Sequence, residues 1–334
     1  MIMKFFTVLI FIAGLLLIPA IPLRAQTCCS GGVPLANNIG GMPQAEDGTF
    51  MFSVIFDANF LRTLKDGTEK LDDFSRQRTT YSALIKAQYA INDKLSVEGL
   101  FSGIRQERNI EQGTFSDFKK TTGLGDAVLL ANFNYLSTST ANFTFAVGPK
   151  IPTGPSDLKD DRAITMNADM QPGSGAWDLI LHHRIAKIFN FRPQAAFSYL
   201  VTYRLTGENP DYLGSQVYEF GNELQMLLGW SESQNLGKLL YAYGLSFRYR
   251  HAAMDKNNHV ILPNTGGQWI FLMPSLSWHL NQDVSVTINA ELPLFSEVEG
   301  TQLTPSARAN IGMLWTFRKK PQLQDIFNSK LSVK

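Results

Sequence analysis

The sequence predicts an all-β fold, a transmembrane antiparallel up-and-down β-barrel of twelve strands. Three observations predict it. Apolar and polar residues alternate with a period of two in twelve segments, the charged residues of those segments share one face, and the connections alternate between short and long. The composition agrees, because only 18% of the 334 residues are charged, whereas soluble domains carry about 25%.

The twelve predicted strands are recognised by their alternation. In the segment 191–206, Phe197 and Tyr199 fall on an apolar face, whereas Ser198 and Thr202 fall on a polar one. A ring-rich apolar face opposite a polar face is typical of a strand that separates lipid from a lumen. The predicted strands are 50–60, 81–89, 95–101, 127–135, 143–151, 177–185, 191–206, 218–230, 239–249, 270–280, 284–294 and 307–317.

Charge placement distinguishes the two faces further. All fifteen charged residues within or at the ends of the predicted strands, eight basic and seven acidic, fall on the polar face. We therefore predict that they line the lumen, and their near balance argues against strong selectivity for anions or cations. Trp269, Phe271 and Met273 are also predicted to point inward, where they line an apolar path or pack against a plug. The charged residues are Asp57, Lys86, Glu98, Asp126, Lys150, Asp178, Arg184, Arg192, Arg204, Glu219, Glu223, Arg248, Arg250, Glu291 and Arg308.

The connections between the predicted strands alternate in length. Those after even-numbered strands are short or compact, and those after odd-numbered strands are generally longer. Bacterial outer-membrane barrels share this asymmetry, with short periplasmic turns, long external loops and an even number of strands. The predicted long connections are 62–78, 105–122, 152–174, 207–215, 251–267 and 295–305.

A soluble β-sandwich is the alternative that alternation alone leaves open. It is disfavoured because the apolar faces carry many large rings, and because several predicted strands exceed the about 5–6 residues typical of soluble strands. In lipid, pairing the first strand with the twelfth removes the unpaired backbone edge. The pattern therefore favours a closed barrel.

The N-terminus predicts a secretory signal peptide over residues 1–25. Lys4 precedes an apolar run, and Pro19 and a small-residue site ending at Ala25 follow it. A membrane-spanning helix is the alternative, but the run is shorter than the about 20 residues that such a helix needs. The sequence therefore predicts that the chain is exported and that this segment is then cleaved off.

The mature chain is expected to have three parts. Residues 26–46 form either a periplasmic segment or a plug in the lumen, residues 47–318 form the barrel, and residues 319–334 form a periplasmic tail. In an oxidising compartment the adjacent Cys28 and Cys29 are able to form a disulfide with each other or a bond to another chain. A reduced pair in a flexible segment is the alternative.

Three short motifs resemble a known family. They are Gly-Leu-Gly-Asp at 123–126, Val-Gly-Pro-Lys-Ile-Pro-Thr-Gly at 147–154 and Gly-Ser-Gly-Ala-Trp-Asp at 173–178. In this order they resemble the outer-membrane barrels associated with the meta-cleavage pathway of phenol degradation, which are distantly similar to the long-chain fatty-acid channel. The resemblance implies transport and supplies no established substrate. The same glycines also fit a purely structural role at the barrel rim.

The leading functional hypothesis is an outer-membrane channel, passive or gated, for small and hydrophobic or aromatic solutes. Its expected partners are outer-membrane lipid, the small-molecule solute and the barrel-assembly machinery, whose signal the aromatic end of the last strand, Trp315 and Phe317, resembles. The alternative is a structural or partner-binding barrel that acts through its external loops, including the charged segment 159–162.

Other function classes are disfavoured. A net charge of +1 does not predict a nucleic-acid binder. A lipid-modifying enzyme has only Ser277 and His279 as a candidate pair, with no evident third member, so no catalytic residue is expected. No cofactor or metal is expected either, because His182 and His183 point to opposite faces of a strand.

Overall fold

The chain is described by a computed structural model for residues 46–237 and 239–318. The predictions for the signal peptide, for Cys28 and Cys29, and for the tail at 319–334 lie outside these residues. The described part forms a 3-10 helix at Ala168–Met170 and the strands β1 (Phe50–Asp66), β2 (Glu69–Lys70), β3 (Arg76–Ala90), β4 (Leu95–Gln112), β5 (Phe115–Leu124), β6 (Ala127–Ser137), β7 (Ala141–Ile151), β8 (Asp178–Phe189), β9 (Arg192–Leu205), β10 (Glu208–Tyr212), β11 (Gln216–Glu219), β12 (Glu223–Leu236), β13 (Leu239–Ala252), β14 (Lys256–Asn257), β15 (Val260–Ile261), β16 (Gly267–His279), β17 (Val284–Val298) and β18 (Thr301–Phe317).

Twelve of these strands form a closed antiparallel barrel. Their order around the barrel is β1, β3, β4, β6, β7, β8, β9, β12, β13, β16, β17 and β18. β18 pairs with β1 from the Phe50 and Phe317 partners to the Asp66 and Thr301 partners, which closes the circle. Each barrel strand overlaps one predicted strand, so the predicted fold class and strand number are confirmed.

The barrel has an apolar outer face and a mixed, buried interior. Phe56 is 60% exposed and Phe101 is 58% exposed, whereas the adjacent Asp57 and Leu100 are buried. This inversion of the soluble pattern follows from the solvent, because lipid surrounds the outer face. No helix among the described residues is long and apolar enough to cross a membrane.

The two ends of the barrel differ. Short turns at 91–94, 138–140, 190–191 and 280–283 lie at one end, together with the start of β1 and the end of β18. We call this the short-turn end and the opposite one the long-loop end. The long-loop end carries a four-stranded sheet of β10, β11, β14 and β15 outside the barrel.

Three connections differ from the prediction. Residues 105–122 form a hairpin of β4 and β5 rather than a loop. The alternation of apolar and polar residues is lost there because charged residues also lie on the outer face, as the 51% exposure of the Arg105 side chain shows, while Gln106 on the inner face is buried. Residues 295–305 are not a long loop, since β17 and β18 continue to a two-residue turn whose Gly300 has φ of 70°. The eighth strand begins at Glu223 rather than at Tyr218, because Tyr218 packs inside the external sheet.

A bulge changes the inward face of β1. The register shifts around Leu61, which lies opposite Pro305, and both Leu61 and Leu64 become buried. Proline lacks the N–H that a regular ladder needs, so a bulge accommodates it. Leu61 keeps the inward parity of Asp57, and the bulge turns Leu64 inward, where strict alternation does not place it.

Candidate permeation path

Ten of the predicted lumen-lining charges form a belt around the interior, which we call the charge belt. Lys150 Nζ lies 2.8 Å from Asp126 Oδ2 and 3.1 Å from Asp178 Oδ2, and Arg250 Nη2 lies 2.8 Å from Glu223 Oε2. Five acidic and five basic residues cancel, so the belt presents no net formal charge, as buried charges require. In order around the barrel the belt is Asp57, Arg308, Glu291, Arg248, Arg250, Glu223, Arg204, Asp178, Lys150 and Asp126.

One half of the interior is filled by side chains. We call the inward face of β12, β13, β16, β17, β18 and β1 the packed wall. The guanidinium carbon of Arg248 lies 4.6 Å from the centre of the Phe271 ring, and that of Arg250 lies 4.7 Å from the Trp269 ring. Trp269, Phe271 and Met273 are each 1% exposed. These rings pack in one apolar cluster with Leu61, Leu64, Leu200, Leu227, Val298 and Leu303.

The other half contains a cavity. We call the inward face of β3, β4, β6, β7, β8 and β9 the cavity wall. Its side chains enclose a cavity of about 60 Å³ towards the short-turn end, which is room for about four to six water molecules. Lys86, Glu98 and Arg184, all predicted lumen residues, line it, and Lys86 Nζ lies 2.9 Å from Glu98 Oε1.

A buried segment of the connection 152–177 lies across the long-loop end of the cavity wall. We call Met166–Gln171 the strap. Arg78 on β3 donates to the Asp169 carboxylate at 2.7 Å and also to the Asp169 carbonyl. Gln106 on β4 donates to the Gln171 carbonyl at 3.2 Å, and Thr121 on β5 to the Met170 carbonyl at 2.6 Å. Barrel side chains thus satisfy the backbone of a segment whose Asp169 and Met170 are almost fully buried.

The three sequence motifs meet in one junction beside the strap. Asp126 of the first motif accepts hydrogen bonds from Gly154 N–H at 3.2 Å and from Ser174 N–H at 2.9 Å. A Cβ added at Gly154 would lie 2.8 Å from the Cα of Gly173, so only glycines allow this approach. The junction holds both ends of the connection that carries the strap, which gives the motifs a structural role at the rim.

Two predicted lumen residues lie elsewhere. Glu219 is the last residue of β11 in the external sheet, and the barrel strand β12 begins only at Glu223. The Glu219 carboxylate pairs with Lys256 at 3.0 Å. Arg192 lies at the short-turn end with its side chain 56% exposed and pairs with Glu232. Sequence alternation places a residue on a face and does not show where the strand leaves the membrane. That the remaining thirteen line a permeation path stays a prediction.

The candidate enzymatic and metal-binding residues make ordinary contacts. Ser277 Oγ lies 2.8 Å from Thr287 Oγ1 on the neighbouring strand. His182 lies on the cavity wall, and His183 contacts the Tyr135 hydroxyl at 2.9 Å on the outer face. Among the described residues no group of three or more His, Cys, Asp or Glu side chains is arranged to hold a metal ion.

Several interior residues have no sequence signal. Arg78, Gln106 and Asp169 lie in segments that the prediction treats as loops, and only their contacts reveal a role. Leu200 occupies the polar face of its strand, and alternation alone treats it as an exception. A search for apolar residues on predicted inward faces would have found Leu200 and not the strap.

Comparisons with known proteins support the fold. No family model and no curated protein matches the chain. An outer membrane channel from Pseudomonas putida F1 has a similar structure, with a TM-score of 0.66, 16% identity, and coverage of 83% of this chain and 98% of that one. The β-domain of the Bordetella autotransporter BrkA gives a TM-score of 0.48 at 8% identity over 81% of this chain and 100% of that one. The CymD monoaromatic hydrocarbon channel gives 0.40 at 10% identity over 83% and 90%. The first likeness shows the outer-membrane barrel fold.

Proposed function

We propose that the chain is an outer-membrane channel for small, hydrophobic or aromatic solutes, gated at the long-loop end by the strap. The observation that carries this proposal is the interior itself. Buried rings and leucines on the packed wall face a cavity on the cavity wall, which gives a narrow and partly apolar route. Porins with a wide, water-filled channel have about 16–18 strands. A barrel of twelve strands therefore has a narrower interior.

The neutral charge belt supports a route without strong ion selectivity. Each belt carboxylate lies beside a guanidinium or an ammonium group, so a passing ion meets paired dipoles rather than a ring of one sign. An uncharged or weakly polar solute crosses such a belt more readily than a small inorganic ion. The belt therefore favours solute uptake over ion conduction.

The orientation follows the usual rule for this fold. We propose that the short-turn end faces the periplasm, that the long loops face outwards, and that residues 1–25 are removed on export before the assembly machinery inserts the barrel. A cysteine introduced at Asp160, on the long connection, should react with an impermeant thiol reagent on intact cells. Labelling only after the outer membrane is opened would overturn this orientation.

Reconstitution tests the channel. Purified protein in liposomes should accelerate the passage of benzyl alcohol far more than that of a disaccharide, and single-channel conductance should be low. A chain in which Val260 and Ile261, at the exposed tip of the external sheet, are replaced with serine is the control and should keep the activity. Failure of ions, aromatic solutes and fatty solutes alike to pass under any condition would contradict the proposal.

The external sheet supports a second candidate function, the binding of a partner through the loops. Val260 and Ile261 form β15, the edge strand of this sheet, and are 67% and 54% exposed. In the sheet β15 pairs with β14 and with no barrel strand. Exposed apolar residues on ordered loops favour contact with another surface. Replacing both with serine should abolish co-purification of a partner if this is the function, and should leave solute passage unchanged.

A further inference from the structure

Two polar side chains of the cavity wall flank the same strand. Asn132 on β6 and His182 on β8 are both in register with Ala146 on β7, the strand between them. Residues in register on neighbouring strands share a face of the sheet, and both polar side chains line the cavity. Ala146 is small and fully buried, so its side chain does not separate the two. The Asn132 amide and the His182 ring therefore border the same part of the cavity.

The Asn132 amide has a donor that the protein leaves unused. Asn132 Nδ2 is buried and has no hydrogen-bond partner among the described residues. Other polar side chains that line the cavity do have protein partners, since Gln88 Nε2 donates to Ser96 Oγ at 2.9 Å and Thr144 Oγ1 donates to Asn142 Oδ1 at 2.9 Å. A buried donor without a partner carries a free-energy cost, which an oxygen atom beside it removes.

The His182 ring uses one of its two nitrogens. Thr202 Oγ1 lies 3.2 Å from His182 Nδ1, and the ring forms no second hydrogen bond within the part of the chain that the structure describes. His182 is only partly buried, and it lines the cavity. Because the Thr202 hydroxyl can donate or accept, Nε2 is an acceptor in one tautomer of the ring and a donor in the other. Nε2 is therefore available to a group in the cavity.

A hydroxyl group matches both side chains. Its oxygen accepts from Asn132 Nδ2, and the same hydroxyl either donates to His182 Nε2 or accepts from it. A carbonyl or ether oxygen only accepts, so it matches one tautomer alone. The next inward residues along the two strands, Leu130 on β6 and Ile180 on β8, are apolar and line the cavity with Leu100. The hydroxyl-matching pair thus adjoins an apolar surface.

The charges around the cavity favour an uncharged ligand. Glu98 lies 2.9 Å from Lys86 and also interacts with Arg184, so it compensates both cations. Because each cation has an acidic neighbour, an uncharged group enters at a lower desolvation cost than an ion does. The cations at this end are Lys86, Lys94 and Arg184, and the acidic residues are Glu46, Asp47, Asp93 and Glu98.

We infer that Asn132 and His182 bind the hydroxyl group of an uncharged solute with a small apolar body, and that this contact selects the solute in the cavity. The body lies against Leu100, Leu130 and Ile180. The inference rests on the proposed channel function and narrows its solute class from hydrophobic or aromatic compounds in general to those that carry a hydroxyl. A cavity of about 60 Å³, room for about four to six water molecules, limits the body to about one small ring or a short chain.

Calorimetry on the purified full-length chain in one detergent tests the site, with benzyl alcohol as the probe and toluene as its counterpart without a hydroxyl. His182→Phe and Asn132→Leu keep the size of the side chain. Each should weaken benzyl alcohol binding by about three- to tenfold and leave toluene binding within about twofold. The matched control is His183→Phe, which replaces the neighbouring histidine on the outer face and should change neither affinity.

Nitrogen NMR of the unaltered chain, labelled at histidine, provides a second measurement that needs no variant to fold except for assignment. Benzyl alcohol should shift the signal of His182 Nε2, and toluene should leave it in place. A cavity that holds water alone would overturn the inference, because benzyl alcohol then leaves this signal unchanged.

The other outcomes separate the site from the channel. Benzyl alcohol affinity that both variants leave intact, or an equal loss of affinity for both solutes, would overturn the hydroxyl site, because an equal loss indicates altered packing. A preference for benzyl alcohol that depends on His182, in a chain through which no solute passes, would support the site and contradict the channel. Solute passage in a chain without that preference would contradict the site alone.

Discussion

The packed wall and the cavity wall are built from the same alternating pattern, yet one is filled and the other is open. On the packed wall, the guanidinium groups of Arg248 and Arg250 lie over the rings of Phe271 and Trp269, and each also pairs with a carboxylate. On the cavity wall, Lys86 and Glu98 pair beside the cavity. The size of the neighbouring inward residue therefore decides whether a buried charge fills the barrel or lines a cavity in it.

The largest expected effect comes from breaking a pair on the packed wall. Glu291→Ala leaves Arg248 buried in contact with Phe271, and we expect a loss of about 3–5 kcal/mol in the free energy of unfolding. Urea unfolding of the barrel in lipid vesicles measures it. The matched change on the cavity wall is Glu98→Ala, where water in the cavity can solvate Lys86 and the expected loss is about 1–3 kcal/mol. Equal losses would contradict the difference between the walls.

A smaller and more local effect is expected at the strap. Arg78→Ala removes the donor to the Asp169 carboxylate and carbonyl, and the strap is then free to leave the long-loop end and expose its charge to water. We expect conductance in planar bilayers to rise several-fold, with barrel unfolding little changed. The control is Arg105→Ala, which removes an exposed arginine of β4 near the same long-loop end of the barrel. Unchanged conductance in Arg78→Ala would show that the strap is not a gate.

The smallest expected effect is a pH dependence of the stability of the external sheet, outside the barrel. It arises at the carboxylate of Asp255, which has different partners from the carboxylates of the charge belt. The hydrogen bonds to Asp255 come from neutral donors, the Tyr218 hydroxyl at 2.7 Å and the Gly221 N–H at 2.8 Å. Burial raises the pKa of Asp255 above its ordinary value of 3.8. A raised pKa means that the folded sheet binds the proton more tightly than the unfolded one, so its stability is greatest at low pH and falls as pH rises through the raised pKa.

Hydrogen exchange measures this dependence. Protection of residues 255–262, corrected for intrinsic rates, should decrease between pH 4 and pH 7, and Asp255→Asn should flatten the change. Increased protection at pH 7 in the unaltered chain would contradict the assignment.

Alternation along the chain predicts the fold class, the number of barrel strands and the face of most charged residues. Alternation at Phe197 to Thr202, or around Asp57, needs no tertiary information, because a barrel in lipid has only an outside and an inside. The motifs at 123–126, 147–154 and 173–178 were likewise visible, although their shared junction at Asp126 was not.

The contacts inside the barrel depend on its tertiary structure. The shear and closure of the barrel determine which inward residues share a level, so the pairing of Arg248 with Glu291 and the rings beneath the arginines cannot be derived from period two. The strap joins Arg78 to Asp169 across 91 residues, and no local pattern specifies such a contact. Glu219 continues the alternation of its predicted strand but lies outside the barrel, because β11 ends at Glu219 and the barrel strand β12 begins only at Glu223.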